Sequence, residues 1–333
     1  MGRFAENIHG GPVDAAEVAR VRDVIMFEEP GLRERLIRFW LLLILAAAIA
    51  TFGLIGDSVA TVIGAMIVAP LMLPIMGLAF SISVGDRRGI LSSLAVAVGG
   101  ILTAIGVGYL LSLPFSAVLD VENNAQIMAR TAPRLVDLAA ALATGLAGAF
   151  AIGRKDISDT LPGVAIAISL VPPLANVGIL LGQQRLDLAS GSLLLFLTNY
   201  FAILLTGSLM YALMGFPQAV LAGQSHRARV TAVAVVVTLA VLIVVPLAAT
   251  SYSVAVSNAV HARVSDAADV WLADTDYRVA SINVDDGSVT LTIAGSGERP
   301  RTVLLERSLR GRLYGKRVIV ETVPESREEF STR

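Results

Sequence analysis

Long apolar runs alternate with short polar segments through the middle of the chain. A helix that crosses about 30 Å of hydrocarbon needs roughly 20 apolar residues. Seven stretches meet this requirement: 38–56, 58–84, 89–113, 135–153, 160–182, 189–214 and 229–250. The longest loop between them, 114–134, contains two prolines and two asparagines. This pattern predicts an all-α polytopic membrane bundle of about seven transmembrane helices over residues 38–250.

The N-terminal segment, residues 1–37, is polar and has a helical period. Its apolar positions include Val18, Val21, Val24 and Ile25, with Arg and Glu residues between them. This amphipathic spacing predicts a cytoplasmic helix. Two interpretations remain open, a helix that lies on the membrane surface and a solvated helix that caps the bundle.

The tail, residues 251–333, changes period again. Residues 253–272 fit a helix, and 277–283 and 289–294 alternate like strands around an Asp-Gly turn, which is a hairpin signal. Residues 300–313 fit a second helix with Val303, Leu304 and Leu309 inward, and 317–323 a last strand. The order α-β-β-α-β predicts a small extramembrane α/β domain.

Charge is concentrated at the two ends. Of 53 Asp, Glu, Lys and Arg residues, 13 lie in 1–38, 17 in the 212 residues of 39–250 and 23 in 251–333. The middle is therefore about 8% charged, against about 25% in soluble domains, which excludes a soluble enzyme or a nucleic-acid binder for the whole chain. Without Cys, thiolate catalysis and Cys-ligated metals are also excluded. We find no common catalytic motif and expect no enzymatic activity, cofactor or metal.

The distribution of basic residues orients the bundle, because cytoplasmic loops of membrane proteins are rich in Lys and Arg. With the N-terminus inside, three basic residues face outward: Arg130, Arg134 and Arg185. Nine face the cytoplasm: Arg33, Arg35, Arg38, Arg87, Arg88, Arg154, Lys155, Arg227 and Arg229. Seven crossings in the cell membrane then place the C-terminal domain outside the cytoplasm.

An internal repeat relates the two halves of the bundle. At an offset of 102, Asp57-Ser58 matches Asp159-Thr160, Pro70 matches Pro172, and Tyr109 matches Tyr211. Each copy, about 38–113 and 135–214, contains three crossings, so the second enters the membrane from the opposite side. Inverted repeats of this kind characterise many secondary transporters. Chance similarity between two apolar stretches is the competing explanation.

Prolines interrupt one helix in each copy, at Pro70 and Pro74 and at Pro172-Pro173. Because proline lacks an N–H and clashes with the carbonyl four residues earlier, it frees that carbonyl. The freed groups include those of Met66 and Ser169, about 20 Å into the membrane. Three interpretations remain open: simple kinks, a broken-helix pathway, or a re-entrant hairpin.

The predicted pathway combines these breaks with polar residues beside them. Asp57 and Asp159 are either helix caps or cation- or proton-binding groups at the pathway mouths. The predicted pathway residues are Asp57, Ser58, Met66, Pro70, Pro74, Asp159, Thr160, Ser169, Pro172, Pro173 and Asn176.

Two stretches carry a family resemblance, GAMIVAPLMLPI at 64–75 and LPGVAIAISLVPPL at 161–174. They resemble the paired signatures of a bacterial and archaeal family of uncharacterised hydrophobic membrane proteins, domain of unknown function 389. The resemblance covers roughly 40–215. It implies an integral membrane protein and assigns no functional residue.

These features favour a secondary transporter or channel-like permease for a small solute or ion, with its pathway between the two repeats. The alternative is a membrane-anchored sensor or assembly protein that acts through its external α/β domain. We expect the partners to be the lipid bilayer and a second copy of the chain, most simply in a dimer, and no nucleic acid.

The predicted orientation is testable in whole cells. Protease added outside right-side-out cells should remove the segment after Pro246, because that segment lies outside the cytoplasm. A tag placed after Arg333 reports the cleavage on a blot. A tag that survives in intact cells and is lost only after lysis would reverse the orientation.

Overall fold

The computed structural model describes residues 8–131, 133–158, 170–221, 252, 255–273, 275–285, 287–297 and 300–324. The chain divides into two compact units, Met1–Ser251 and Tyr252–Arg333. The first is helical in its described part, and the second combines helices with a small sheet. Each unit is described by itself.

The first unit consists of eleven described α-helices, several of them long and apolar. The helices are α1 (Ala15–Ile25), α2 (Leu32–Ile55), α3 (Val59–Val68), α4 (Met72–Val84), α5 (Arg87–Ser112), α6 (Ala125–Met128), α7 (Leu135–Gly153), α8 (Lys155–Ser158), α9 (Val171–Gly182), α10 (Leu186–Leu213) and α11 (Phe216–Leu221).

Four of the described helices are long and apolar enough to cross a membrane, and a fifth span results if α3 and α4 count as one. The four are α2, α5, α7 and α10. The predicted span 160–182 is described only as the twelve-residue α9, because 159–169 lie outside the described residues, as does the predicted seventh helix, 229–250. A multi-pass membrane protein fits these helices, whereas seven crossings stay a prediction.

The second span is broken where the sequence places its first proline pair. Helix α3 ends at Val68, residues 69–71 turn, and α4 begins at Met72 with its axis bent by 48°. Pro70 and Pro74 are both buried. The carbonyl of Pro70, expected to be freed by Pro74, instead accepts a bond from the N–H of Leu73 at 3.1 Å. The break is therefore partly closed by a tight turn.

The N-terminal helix caps one end of the bundle, which was one of its two predicted roles. Asp14 is its N-cap, and Val21 and Ile25 are buried. The guanidinium of Arg20 donates to the carbonyls of Ile152 (3.2 Å) and Gly153 (2.8 Å) at the end of α7. The segment before the bundle, for which one cytoplasmic helix was predicted, forms two helices, α1 and the start of α2.

The ends of the helices form two groups. One, the N-terminal end, contains α1, Asp86 and Arg154, and Arg22 contacts Asp86 there in a 2.7 Å ion pair. The other, the loop end, contains Asp57, the loop 113–134 and Arg185, which pairs with Glu122 at 2.9 Å. Successive long helices run between these two groups, as the sequence predicts for transmembrane crossings.

Glycines let the helices of the bundle approach closely. A Cβ added to Gly178 on α9 would overlap the carbonyl oxygen of Ile105 on α5. Across the bundle, Gly207 on α10 faces Met76 on α4, where an added Cβ would lie 3.2 Å from the Met76 Cε. A Cβ added to Gly145 on α7 would overlap the side chain of Thr206 on α10. Small residues at membrane helix contacts permit this backbone approach.

The C-terminal unit has the predicted order α-β-β-α-β. A helix over 255–272, α12, precedes β1 (Tyr277–Val284) and β2 (Ser288–Gly295), and α13 (Val303–Leu309) precedes β3 (Arg317–Pro324). The strand order is β1-β2-β3, with β1 antiparallel and β3 parallel to β2. Its core includes Val264 of α12 and Leu291 of β2.

The inward face of α13 was predicted wrongly at two positions. Val303 and Leu304 are 58% and 66% exposed, whereas Leu305 and Leu309 are buried. The helix is short and begins only at 303, so the pair spaced by four residues, 305 and 309, sets its buried face.

The close contact between α5 and α9 predicts an asymmetric response to two similar substitutions. Gly178→Ala should destabilise the protein by about 1–3 kcal/mol, because the methyl group would be forced into the Ile105 carbonyl. Gly106→Ala, on the facing helix, meets no atom within 4 Å and should be neutral or stabilising, since alanine favours helix. Thermal unfolding of the two purified variants measures the difference, and equal effects would contradict the close approach.

Candidate functional site

The first predicted mouth carboxylate, Asp57, lies at the turn between α2 and α3. Its backbone is left-handed, with φ of 49°. The N-cap of α3 is Ser58, whose hydroxyl accepts a bond from the N–H of Thr61 at 3.3 Å. The Asp57 carboxylate instead accepts a bond from the N–H of Gln126 at 2.8 Å. Asp57 thus caps α6 in the distant loop rather than its own helix.

A pocket of about 270 Å³ opens beside Asp57 at the loop end. The charged side chains in its lining are Asp57 and Asp120. Asp120 accepts bonds from Asn123, including one from the side-chain amide at 2.6 Å. The complete lining is Ile55, Asp57, Phe115, Val118, Leu119, Asp120, Asn123 and Asn124. The pocket lining therefore combines apolar and acidic side chains.

A chain of hydrogen bonds leads from this pocket into the bundle. Asn124 donates to the carbonyl of Leu54 (2.8 Å) and accepts from the N–H of Ile127 (2.9 Å). The carbonyl of Ile127 in turn accepts a bond from the Nδ2 of Asn176 at 3.1 Å. The same Nδ2 donates to the hydroxyl of Ser192 at 2.9 Å. Polar groups of three segments, α6, α9 and α10, therefore meet around Asn176.

Asn176 keeps one polar atom unsatisfied. The residue is 0% exposed, and its Oδ1 accepts no hydrogen bond within the described part of the chain. A buried acceptor without a partner costs about 1–3 kcal/mol. The cost is larger where no water is present, as in the interior of a membrane protein. A polar side chain retained at such a position is a functional candidate.

Helix α10 carries a buried polar stripe that begins at Ser192. Asn199 and Thr206 follow at intervals of seven residues, so all three lie on one face of the helix. They are 0%, 4% and 8% exposed, respectively. At 1.5 Å per residue the stripe extends over about 21 Å. The Oδ1 of Asn199 is also buried without a partner among the described residues.

The second proline pair begins a helix in the described residues. Pro172 and Pro173 occupy the first turn of α9 and are buried. Proline is well tolerated there, because the N–H it lacks would be unpaired. Met66 lies half-buried near the end of α3. The remaining predicted residues, Asp159, Thr160 and Ser169, lie outside the described residues, so the second mouth and break stay predictions.

Three residues of this site, Ser192, Asn199 and Thr206, were absent from the prediction made from sequence. Their spacing of seven within an otherwise apolar span is a readable signal, since it places three polar side chains on one helical face. The prediction was based instead on residues that recur at an offset of 102. At the offset of 102 these positions correspond to Ile90, Ala97 and Ala104, so the repeat could not reveal them.

The C-terminal unit carries a larger pocket of about 610 Å³ between α13 and β3. Its apolar lining includes Leu305, Leu309 and Val318, and Arg310 and Lys316 lie at its edge among the lining residues. The pocket is a separate candidate for ligand binding.

Part of the chain is similar to known proteins. Residues 66–205 match the model of a family described as a domain of unknown function (DUF389). An uncharacterised protein of Methanocaldococcus jannaschii is 34% identical over 176 residues, which are 53% of either chain. The chain thus spans about half the length of this curated relative. No solved structure matches it.

Because the Oδ1 of Asn199 on α10 has no partner among the described residues, we predict that replacing this side chain stabilises the protein. Asn199→Leu should raise the unfolding free energy by about 1–3 kcal/mol, because a buried amide without a full set of partners is replaced by an apolar group of similar size. Thr198→Val is the matched control, since the Thr198 hydroxyl already donates to the Leu194 carbonyl at 2.8 Å. Thermal unfolding at low ionic strength compares them. A destabilised Asn199→Leu protein would show that the amide has partners.

Proposed function

The chain carries a domain of unknown function (DUF389), and from this premise we propose that it is a secondary transporter or channel-like permease for a small solute or ion. The pathway follows the polar stripe of α10 between two inverted repeats. The observation that carries the proposal is the buried stripe Ser192, Asn199 and Thr206, which Asn176 joins to the acidic pocket at the loop end. Buried polar residues in transmembrane segments mark substrate and ion pathways.

Reciprocal contacts support the two inverted repeats. The contact of Gly178 with Ile105 joins α9 to α5. At the offset of 102, Gly178 corresponds to Met76 and Ile105 corresponds to Gly207. Met76 and Gly207 are also in contact, between α4 and α10. A two-fold relation between the copies exchanges these two contacts. Secondary transporters place their sites at such a repeat interface.

The relation extends to the segments that precede each copy. Ile25 and Ile127 are separated by 102 residues, and both are buried at the end of a short helix. Gly89 lies against Met26 at the N-terminal end, and its repeat partner Gly191 lies against Thr131 at the loop end. In each repeat, a segment that contains a short helix, α1 or α6, therefore packs against the third long helix. These two segments lie at opposite ends of the bundle.

In the proposed arrangement the protein spans the cell membrane with its N-terminus in the cytoplasm. The C-terminal unit lies outside, and the chain functions as a homo-oligomer, most simply a dimer. The N-terminal end is rich in arginine, including the exposed Arg87 and Arg88. This supports its position at the cytoplasmic face.

The proposal predicts that water reaches the stripe. Because the chain has no Cys, single cysteines at Ser192, Asn199 and Thr206 can be tested one at a time with a small hydrophilic thiol reagent. All three should react in the folded protein in liposomes, since they line one aqueous path. Mass spectrometry of the intact protein measures the labelled fraction.

Leu209→Cys is the control on the same helix, because Leu209 is 50% exposed on the outer surface of the unit and faces lipid in the proposed arrangement. It should stay unlabelled by a reagent that does not partition into lipid. If the three stripe positions are as unreactive as Leu209→Cys in folded protein, the pathway does not exist.

A sensor or assembly protein is the second candidate function. The pocket of about 610 Å³ in the C-terminal unit favours it, because a pocket of this size accommodates a small ligand. Under this alternative the helical unit is an anchor, and the stripe is dry. The cysteine experiment therefore separates the two candidates.

A further inference from the structure

We propose that the transported species is a small monovalent cation, which is bound along α10 by the uncharged amide oxygens of Asn176 and Asn199. This inference rests on the proposed function and adds the class of its substrate. It follows from the charge at the pocket, from the kind of atoms left free along the stripe, and from the lack of a matching stripe on α5.

The pocket at the loop end has an uncompensated negative charge. Asp57 and Asp120 form no ion pair within the described part of the chain. The arginines of this end contact other groups, and Arg130 donates to the side-chain oxygen of Gln126 at 3.2 Å. Arg134 pairs with Asp137 at 3.1 Å, and Arg185 pairs with Glu122 at 2.9 Å. A pocket lined by one sign of charge concentrates the opposite ion.

The Asp120 carboxylate is held in its charged form. The side-chain amide of Asn123 donates to it, and the Asn123 backbone N–H adds a second bond; together they lower the pKa of Asp120. It is therefore ionised throughout the neutral range.

The atoms left free along the stripe are oxygen acceptors. Both donor positions of the Asn176 Nδ2 have partners, the Ile127 carbonyl and the Ser192 hydroxyl, whereas its Oδ1 has none among the described residues. The Asn199 Oδ1 is likewise free. The Thr206 hydroxyl donates to the Ala202 carbonyl at 2.8 Å, so its oxygen keeps only acceptor capacity. Such a lining suits a cation and repels an anion.

Because the stripe carries no formal charge, it favours a monovalent cation over a divalent one. After Asp187 in its first turn, α10 contains no charged residue, and α9 contains none. Divalent cations in proteins are held by carboxylates, which offset the cost of dehydration. Neutral carbonyl oxygens replace the hydration shell of a monovalent ion, as in potassium-selective filters. The interior therefore fits an alkali cation better than Mg²⁺ or Ca²⁺.

The other repeat shows that packing alone does not require these polar groups. The positions of α5 that correspond to Asn199 and Thr206 are Ala97 and Ala104, which are 1% and 0% exposed. Equivalent positions are thus occupied by alanine in the first repeat and by amide and hydroxyl side chains in the second. Packing accounts for the buried alanines of α5, whereas ligand binding accounts for the amide and hydroxyl oxygens of α10.

Ion flux into liposomes tests the assignment. Purified full-length protein is reconstituted, and uptake of rubidium and sodium is compared with uptake of magnesium, chloride and glycerol. We expect at least a tenfold excess of alkali-cation uptake over protein-free liposomes, and none for magnesium or chloride. Asn199→Leu should lower this uptake at least tenfold, whereas the Thr198→Val control should retain it.

A second measurement detects binding without flux. In Thr206→Cys protein, saturating rubidium or sodium should slow thiol labelling severalfold relative to N-methylglucamine at the same ionic strength, because the bound ion occupies the stripe. Asn176→Leu in the same background should abolish this protection.

The outcomes separate the two proposals. Water-accessible cysteines with glycerol or chloride uptake, but no alkali-cation uptake and no cation protection, would overturn the cation assignment and leave the permease intact. Unreactive cysteines together with no uptake of any species would overturn both. Cation uptake that is unchanged in both Asn199→Leu and Asn176→Leu would reject these oxygens as its ligands.

Discussion

In an apolar medium every polar group of the chain must find a partner inside the protein, and the first unit is organised by this requirement. Helices satisfy the backbone, and the exceptions are handled one by one. The turn at Pro70 closes on Leu73, Asp57 caps α6, and Asn124 bridges the end of α2 to the same short helix. Against this background Asn176 and Asn199 each keep a buried amide oxygen without a partner among the described residues.

Much of the frame could be predicted from the sequence because it follows from period and composition. Apolar runs of transmembrane length locate α2, α5, α7 and α10, and a change to alternating residues locates the strands of the second unit. The bend at Pro70 follows from the chemistry of proline. The match of residues 66–205 to the DUF389 family model was also predictable, from the two proline-containing stretches around positions 70 and 172.

Tertiary contacts were less predictable, because no local pattern encodes them. Of the two roles predicted for Asp57, a cap on its own helix or a cation- or proton-binding group, the first is not seen: its carboxylate accepts from the N–H of Gln126, which is 69 residues away. Val303 and Leu304 were assigned to the wrong face because the start of α13 was placed too early. The polar stripe of α10 was not predicted because its residues are not repeated: the positions 102 residues earlier are Ile90, Ala97 and Ala104.

The anchoring of α1 sets an order on biosynthesis. This helix leaves the ribosome before α7, yet Arg20 donates to the carbonyls of Ile152 and Gly153 at the end of α7. The contact of α1 with α4 and α5, including the Arg22–Asp86 ion pair, can form earlier. The contact with α7 cannot form until more than 130 further residues have been made. Closure of this end is consequently a late step, and it reports that the inserted helices have assembled correctly.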